Sequence, residues 1–188
     1  MEQYSTIVSG FGGQGVILTG KIIARTGMEE GLEVTWLPSY GPEMRGGTAN
    51  CTAIISSELI GSPVVNEPSS LIALNKPSLD KFGPSVQKDG VIILNSSLID
   101  DFSVVGSRNA VPIPVNEIAK DLGNQKVINM VALGGWSNVT GKLSLSSLKN
   151  GMKLILEESG KEKFVGINEK ALEEGYEAAK EGVKASSV

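Results

Sequence analysis

Apolar residues along this chain fall into short, nearly unbroken runs, and between them lie stretches in which the apolar spacing lengthens to three or four. Thr6-Ile7-Val8-Ser9 predicts a first strand, followed by the turn GFGGQG and a helix over VILTGKIIARTGMEEG. In that helix Val16, Gly20, Ile23 and Gly27 repeat as one stripe, while Lys21, Arg25 and Glu29 lie on or near the other side. Small residues in the stripe let a helix approach a sheet closely. Glu33-Val34-Thr35-Trp36-Leu37 predicts a second strand that Pro38 ends, and Cys51-Thr52-Ala53-Ile54-Ile55-Ser56 a third. Leu71-Ile72-Ala73-Leu74 and Val91-Ile92-Ile93-Leu94 lack polar alternation, which fits strands covered on both faces. A short helix over Lys76 to Phe82 starts near Asn75 with Pro77 in its first turn. Beyond Val111-Pro112-Ile113-Pro114 the spacing predicts helices over about 115–122, 126–136, 145–159 and 168–180. The last has only the thin apolar face of Ala171, Tyr176 and Ala179, so it is expected at the periphery. Strands alternating with helices predict an α/β fold: a mostly parallel open sheet, helices on both faces, a Rossmann-like glycine turn and a helical C-terminal part.

Length and composition narrow the picture. With 188 residues, the chain is expected to form one domain over 1–188. A net charge of -4 and the lack of a basic run argue against nucleic acid. No apolar run has membrane-spanning length and the first residues include an acid, so the expected location is the cytoplasm, away from membranes. The single cysteine, Cys51, excludes an internal disulfide and an iron–sulfur cluster held by this chain alone. It lies in an apolar strand pattern and is expected to be buried and inert. The absence of histidine removes imidazole bases and His-containing zinc sites. No metal site and no catalytic residue is assigned.

Two segments carry the candidate site. Gly10-Phe11-Gly12-Gly13-Gln14-Gly15 fits G-x-G-x-x-G between a strand and a helix, the setting in which that pattern binds a pyrophosphate. A dinucleotide site also needs an acid at the end of the second strand, where this chain has Trp36-Leu37-Pro38. The turn therefore reads as a contact for some other anion or as a structural turn within a subunit interface. Gly15 is followed by Val16 and Ile17, not the Lys and Ser of a P-loop. The second segment, Tyr40-Gly41-Pro42-Glu43-Met44-Arg45-Gly46-Gly47, leaves the carboxyl end of the second strand, the edge where α/β sheets gather ligands. Its glycines and proline constrain the frame that presents Glu43 and Arg45. Arg45 offers a planar fork for a carboxylate or phosphate, and Tyr40 and Met44 supply contact area. No nucleophile with a nearby base can be assembled there, which favours recognition over chemistry. Asn129 either caps its helix or binds backbone groups near the sheet edge. Lys21 and Arg25 meet acidic groups of a partner or form a solvated helix face, and Trp36 and Trp136 read as packing or interface anchors.

GFGGQGVILTGKIIA, SYGPEMRGGTANCTAIISSELIGSPVV, PIPVNEIA and NMVALGGW, in that order, resemble the gamma subunit or gamma domain of the 2-oxoacid:ferredoxin oxidoreductases. The resemblance runs from about Thr6 to Tyr176. It implies a complex that decarboxylates a 2-oxoacid on thiamine diphosphate, passes electrons through iron–sulfur clusters to ferredoxin and forms an acyl-coenzyme A. Thiamine diphosphate would be carried mainly by alpha and beta subunits and the clusters by beta or delta subunits, with no cofactor held by this chain alone. The neighbourhood of the gamma part contributes to coenzyme A access in some members. Gly10, Gly12, Gly13 and Gly15 correspond to the family's glycine turn, Tyr40 to Gly47 to its long loop and Asn129 to the start of its inner helix. The alternatives are a freestanding nucleotide-binding protein or reductase using GFGGQG, and a non-catalytic structural homo-oligomer.

Overall fold

The computed structural model describes residues 2–40 and 48–185. The strands are β1 (Tyr4–Phe11), β2 (Glu33–Tyr40), β3 (Thr48–Ser56), β4 (Ser70–Ala73), β5 (Val91–Asn95) and β6 (Asn109–Ile113). The helices are α1 (Val16–Glu29), α2 (Lys76–Phe82), α3 (Val115–Asp121), α4 (Ile128–Thr140), α5 (Leu145–Glu158) and α6 (Val165–Ala185). The strands form one sheet in the order β2-β3-β1-β4-β5-β6. β1, β4, β5 and β6 pair in parallel, whereas β3 is antiparallel to both of its neighbours, β1 and β2. The sheet is therefore mixed, and β3 departs from the parallel expectation. Only residues 41–47 separate β2 from β3. A parallel return would need a crossover of a dozen or more residues, so these neighbours have to form a hairpin.

Strand alternation divides the core between the two faces. Val8, Cys51, Ile55, Ile72, Ile93 and Val111 pack with Ile23 of α1, Val131 and Trp136 of α4, Met152 of α5 and Leu172 of α6. Ile7, Leu71, Ala73, Ile92 and Leu94 form a smaller cluster with Leu79 of α2 and with Val86, Ile99 and Val105. Full burial of one such side chain contributes about 1.5 to 3 kcal/mol, so the two-sided core dominates the stabilisation. Most of its buried polar atoms are paired; Thr26 Oγ1, Thr35 Oγ1 and Trp36 Nε1 are the buried exceptions among the described residues. Trp136 Nε1 donates to Ser70 Oγ at 2.9 Å, and Ser70 Oγ also bonds Thr6 Oγ1 at 2.9 Å.

Two expectations are corrected. Pro38 does not end β2; it stays in the ladder opposite Cys51, which is tolerated because β2 is an edge strand. The same rule accommodates Pro112 in β6, to which the sequence reading gave no element and which forms the opposite edge. Finally, α6 is not peripheral: Ala171, Leu172 and Ala179 are fully buried. A Cβ at Gly134 of α4 would overlap the Leu172 carbonyl oxygen, and one at Gly175 would overlap that of Val131. The two helices thus meet backbone to backbone, and the contact uses glycines that add nothing to an apolar stripe. Among the described residues, no helix is long and apolar enough to cross a membrane.

Candidate functional site

The parallel strands end together along one edge of the sheet, and β1 leads there into the glycine turn. Gly13 has φ of 94° and Gly15 φ of 76°, a left-handed conformation that side chains resist. Gln14 closes the turn: its N–H donates to Phe11 O at 3.1 Å and its Oε1 accepts from Phe11 N at 2.6 Å. The same amide spans the crevice between β1 and β4, with Nε2 reaching Leu74 O at 3.5 Å and Oε1 accepting from Asn75 Nδ2 at 3.4 Å. A Cβ at Gly10 would lie 2.6 Å from Gln14 Oε1, so that glycine makes room for the folded-back side chain.

Carboxamides continue along this edge. Asn75 Oδ1 caps α2 by accepting from Ser78 N at 2.9 Å, and Ser78 Oγ accepts from Ser9 Oγ at 2.9 Å. Asn95 at the end of β5 donates to Leu74 O at 3.1 Å and to Asn116 Oδ1 at 2.9 Å. Asn116 N donates to Ser97 Oγ at 3.0 Å, and Ser97 Oγ donates in turn to the exposed Glu117. Asn129 completes the set from α4. Its Nδ2 donates to Gly15 O and to Thr19 Oγ1, each at 3.3 Å, while Thr19 N and Oγ1 both donate to Gly15 O at 3.0 Å. A Cβ at Gly15 would collide with the Asn129 amide.

Of the expected site residues, Gly10, Gly12, Gly13, Gln14, Gly15 and Asn129 come together here. Asn129 lies inside α4 and holds the backbone of the turn; the helix N-cap is Val127. Tyr40 is the last residue of β2, and Gly41, Pro42, Glu43, Met44, Arg45, Gly46 and Gly47 lie outside the described residues. Arg25 pairs within the chain, with Glu29 at 2.8 Å and Glu158 at 2.9 Å, and Lys21 is exposed. Asn95 and Asn116 are not singled out from sequence, and Asn75 is read there only as the start of α2, not as part of the site. Their signal was a carboxamide directly after each apolar run, at Leu74-Asn75, Leu94-Asn95 and Val115-Asn116.

The edge is built from amides and hydroxyls that satisfy one another, an arrangement suited to holding backbone shape. β2 ends in Trp36-Leu37-Pro38-Ser39-Tyr40, with no acid to bind a ribose. Cys51 is fully buried and donates to Val16 O at 3.3 Å. Burial pushes its thiol up to about 12, against weaker opposing hydrogen bonds. One protonated, enclosed thiol does not fit an iron–sulfur cluster. Among the described residues no group of three or more His, Cys, Asp or Glu could hold a metal. A cleft of about 930 Å³ lies elsewhere, bounded by Lys88, Asp100, Phe102, Val105, Arg108 and Pro112, and none of the described expected site residues lines it. Arg108 is committed there to carbonyls, donating to Val86 O at 2.6 Å, Val105 O at 3.0 Å and Pro84 O at 2.5 Å.

Comparison with known proteins places this arrangement. The family described as pyruvate ferredoxin/flavodoxin oxidoreductase matches residues 5–178. The ketoisovalerate oxidoreductase subunit VorA of Methanothermobacter thermautotrophicus is 42% identical over 179 residues, covering 94% of this chain and 36% of the relative. The chain thus spans just over a third of the length of the VorA relatives it matches. The 2-oxoglutarate synthase subunit KorC of Methanocaldococcus jannaschii is 34% identical over 180 residues, covering 93% of this chain and 92% of the relative. The crystal structure of a keto/oxoacid ferredoxin oxidoreductase gamma subunit from Geobacter sulfurreducens superposes with a TM-score of 0.83 at 32% identity, covering 97% of this chain and 99% of that one. This chain belongs to the gamma-subunit family of the 2-oxoacid:ferredoxin oxidoreductases.

Proposed function

We propose that the chain is the gamma-type subunit of a multisubunit enzyme that oxidatively decarboxylates a 2-oxoacid to an acyl-coenzyme A and reduces ferredoxin. The carrying observation is the family match along nearly the whole chain, including a solved gamma subunit of almost the same extent. Alpha and beta subunits, with a delta subunit in some assemblies, would bring thiamine diphosphate and the iron–sulfur clusters. This chain would contribute a rigid edge whose glycine turn and neighbouring loop meet those partners. Arg45 would pair there with an acidic group of a partner or a coenzyme A phosphate. The higher identity to ketoisovalerate than to 2-oxoglutarate enzymes supports a branched-chain 2-oxoacid as substrate. The freestanding nucleotide reading loses ground because Gln14 occupies the crevice between β1 and β4 that a dinucleotide would need.

The test is affinity purification from the native cell with identification of every copurifying chain, followed by assay of ketoisovalerate and 2-oxoglutarate on the product. Recovery of alpha-like and beta-like chains with faster turnover of ketoisovalerate supports the proposal. Recovery of the chain alone overturns the subunit reading, and faster turnover of 2-oxoglutarate overturns the substrate assignment.

A further inference from the structure

β3 ends and β4 begins on either side of β1, with Ile55 opposite Tyr4 and Ser70 opposite Thr6. Two strand spacings separate them, roughly 10 Å, which three or four extended residues would bridge. The connection instead runs over residues 57–69. Its surplus length carries apolar residues into solvent: Leu59 is 88% exposed and Val64 67%, the two highest values for large hydrophobic residues among the described residues. Around Gly61 there is open space. The segment is nonetheless fixed at its ends and at its bend. Glu58 N donates to Ser56 Oγ at 3.0 Å and Val64 N to Ser62 Oγ at 3.1 Å. Gln87 N donates to Pro68 O at 3.0 Å and Gln87 Nε2 to Glu67 O at 3.1 Å. Long irregular connections with apolar tips cost stability in an isolated chain, and their usual role is binding.

We propose that residues 57–69 form a docking arm whose Leu59 and Val64 insert into an apolar groove, bordered by Lys and Arg, on a different subunit of the same complex. The proposal rests on the subunit reading above. Charge selects the occupant. The only charged residues of the arm are Glu58 and Glu67, so two arms paired across a two-fold axis would oppose acid to acid. The chain as a whole is also acidic, with 21 acidic against 17 basic residues, which disfavours a second copy as the occupant. The arm leaves the edge of the sheet opposite the glycine turn, so it secures the subunit without occupying the edge assigned to the enzyme's ligands.

The test compares three tagged forms in the native complex: wild type, Leu59→Asp with Val64→Asp, and Leu59→Met with Val64→Ile. Both variants should unfold at the wild-type temperature when free, because the altered side chains are exposed. The aspartate pair should enter the complex at least about tenfold less well, as expected when central apolar anchors are lost, and the conservative pair should enter normally. Wild-type incorporation of the aspartate pair overturns the arm but leaves the subunit reading standing. A wild-type chain that enters no complex overturns both. A free wild-type dimer that the aspartate pair dissolves into monomers makes a second copy the occupant and also overturns the proposal.

Discussion

Asn129→Asp exchanges one buried donor for an acceptor of almost the same shape and tests how the glycine turn is held. Asn129 is 2% exposed and its Nδ2 donates to Gly15 O and Thr19 Oγ1. Asn129→Ala removes those bonds, but Gly15 O keeps the Thr19 N and Oγ1 donors, so the expected cost is about 1 to 2 kcal/mol. In Asn129→Asp an ionised oxygen would face the Gly15 carbonyl in a buried site, and the cost at neutral pH rises to about 3 to 5 kcal/mol. The sign of the pH dependence follows. Burial raises the folded pKa of the new carboxyl above its unfolded value near 3.9, and its protonated form can donate to Gly15 O. Stability is therefore retained below the unfolded pKa and lost as pH rises towards the folded one. Urea unfolding of wild type and both variants between pH 3.5 and pH 8 measures this, expressed as the difference from wild type at each pH. An aspartate variant whose deficit stays at or below that of the alanine variant at every pH refutes the account of the turn.

Three other outcomes are expected. Gly175→Ala places a methyl group on the Val131 carbonyl oxygen and should cost about 3 kcal/mol or more, with a lowered thermal midpoint; an unchanged midpoint would disprove the close approach of α4 and α6. Cys51 should resist a thiol-specific dye at pH 8 until urea unfolds the chain. Its folded pKa is raised, so its contribution holds below the unfolded value near 9 and falls away as pH climbs towards 12; rapid labelling of the native chain would contradict this. Calorimetric titration with NADH should show no binding at micromolar concentrations, since Gln14 spans the crevice and β2 ends without an acid, and a low-micromolar affinity would refute that reading.

The elements with strong periodicity were legible from sequence, and those governed by sheet position were not. α2 begins and ends where Asn75, Pro77 and the apolar spacing put it, because cap and proline chemistry are local. Pro38 misled because proline is compatible with a strand at the sheet edge, and strand order is a tertiary property. The reversal of β3 was readable in the short connection before it, whereas the burial of α6 depended on glycines at Gly134 and Gly175 that contribute no apolar signal. At the candidate site the glycine turn announced itself. For Asn129 the sequence left two roles open, helix cap or backbone contact, because its partner Gly15 lies 114 residues away in the chain.

The most direct test of the subunit assignment is ferredoxin reduction driven by a 2-oxoacid and coenzyme A, measured on the purified chain and on the complex recovered through a tag on it. The assignment predicts no turnover above a blank for the chain alone and steady ferredoxin reduction by the complex. Turnover by the pure chain, or a tagged preparation that carries no 2-oxoacid-dependent activity, would contradict it.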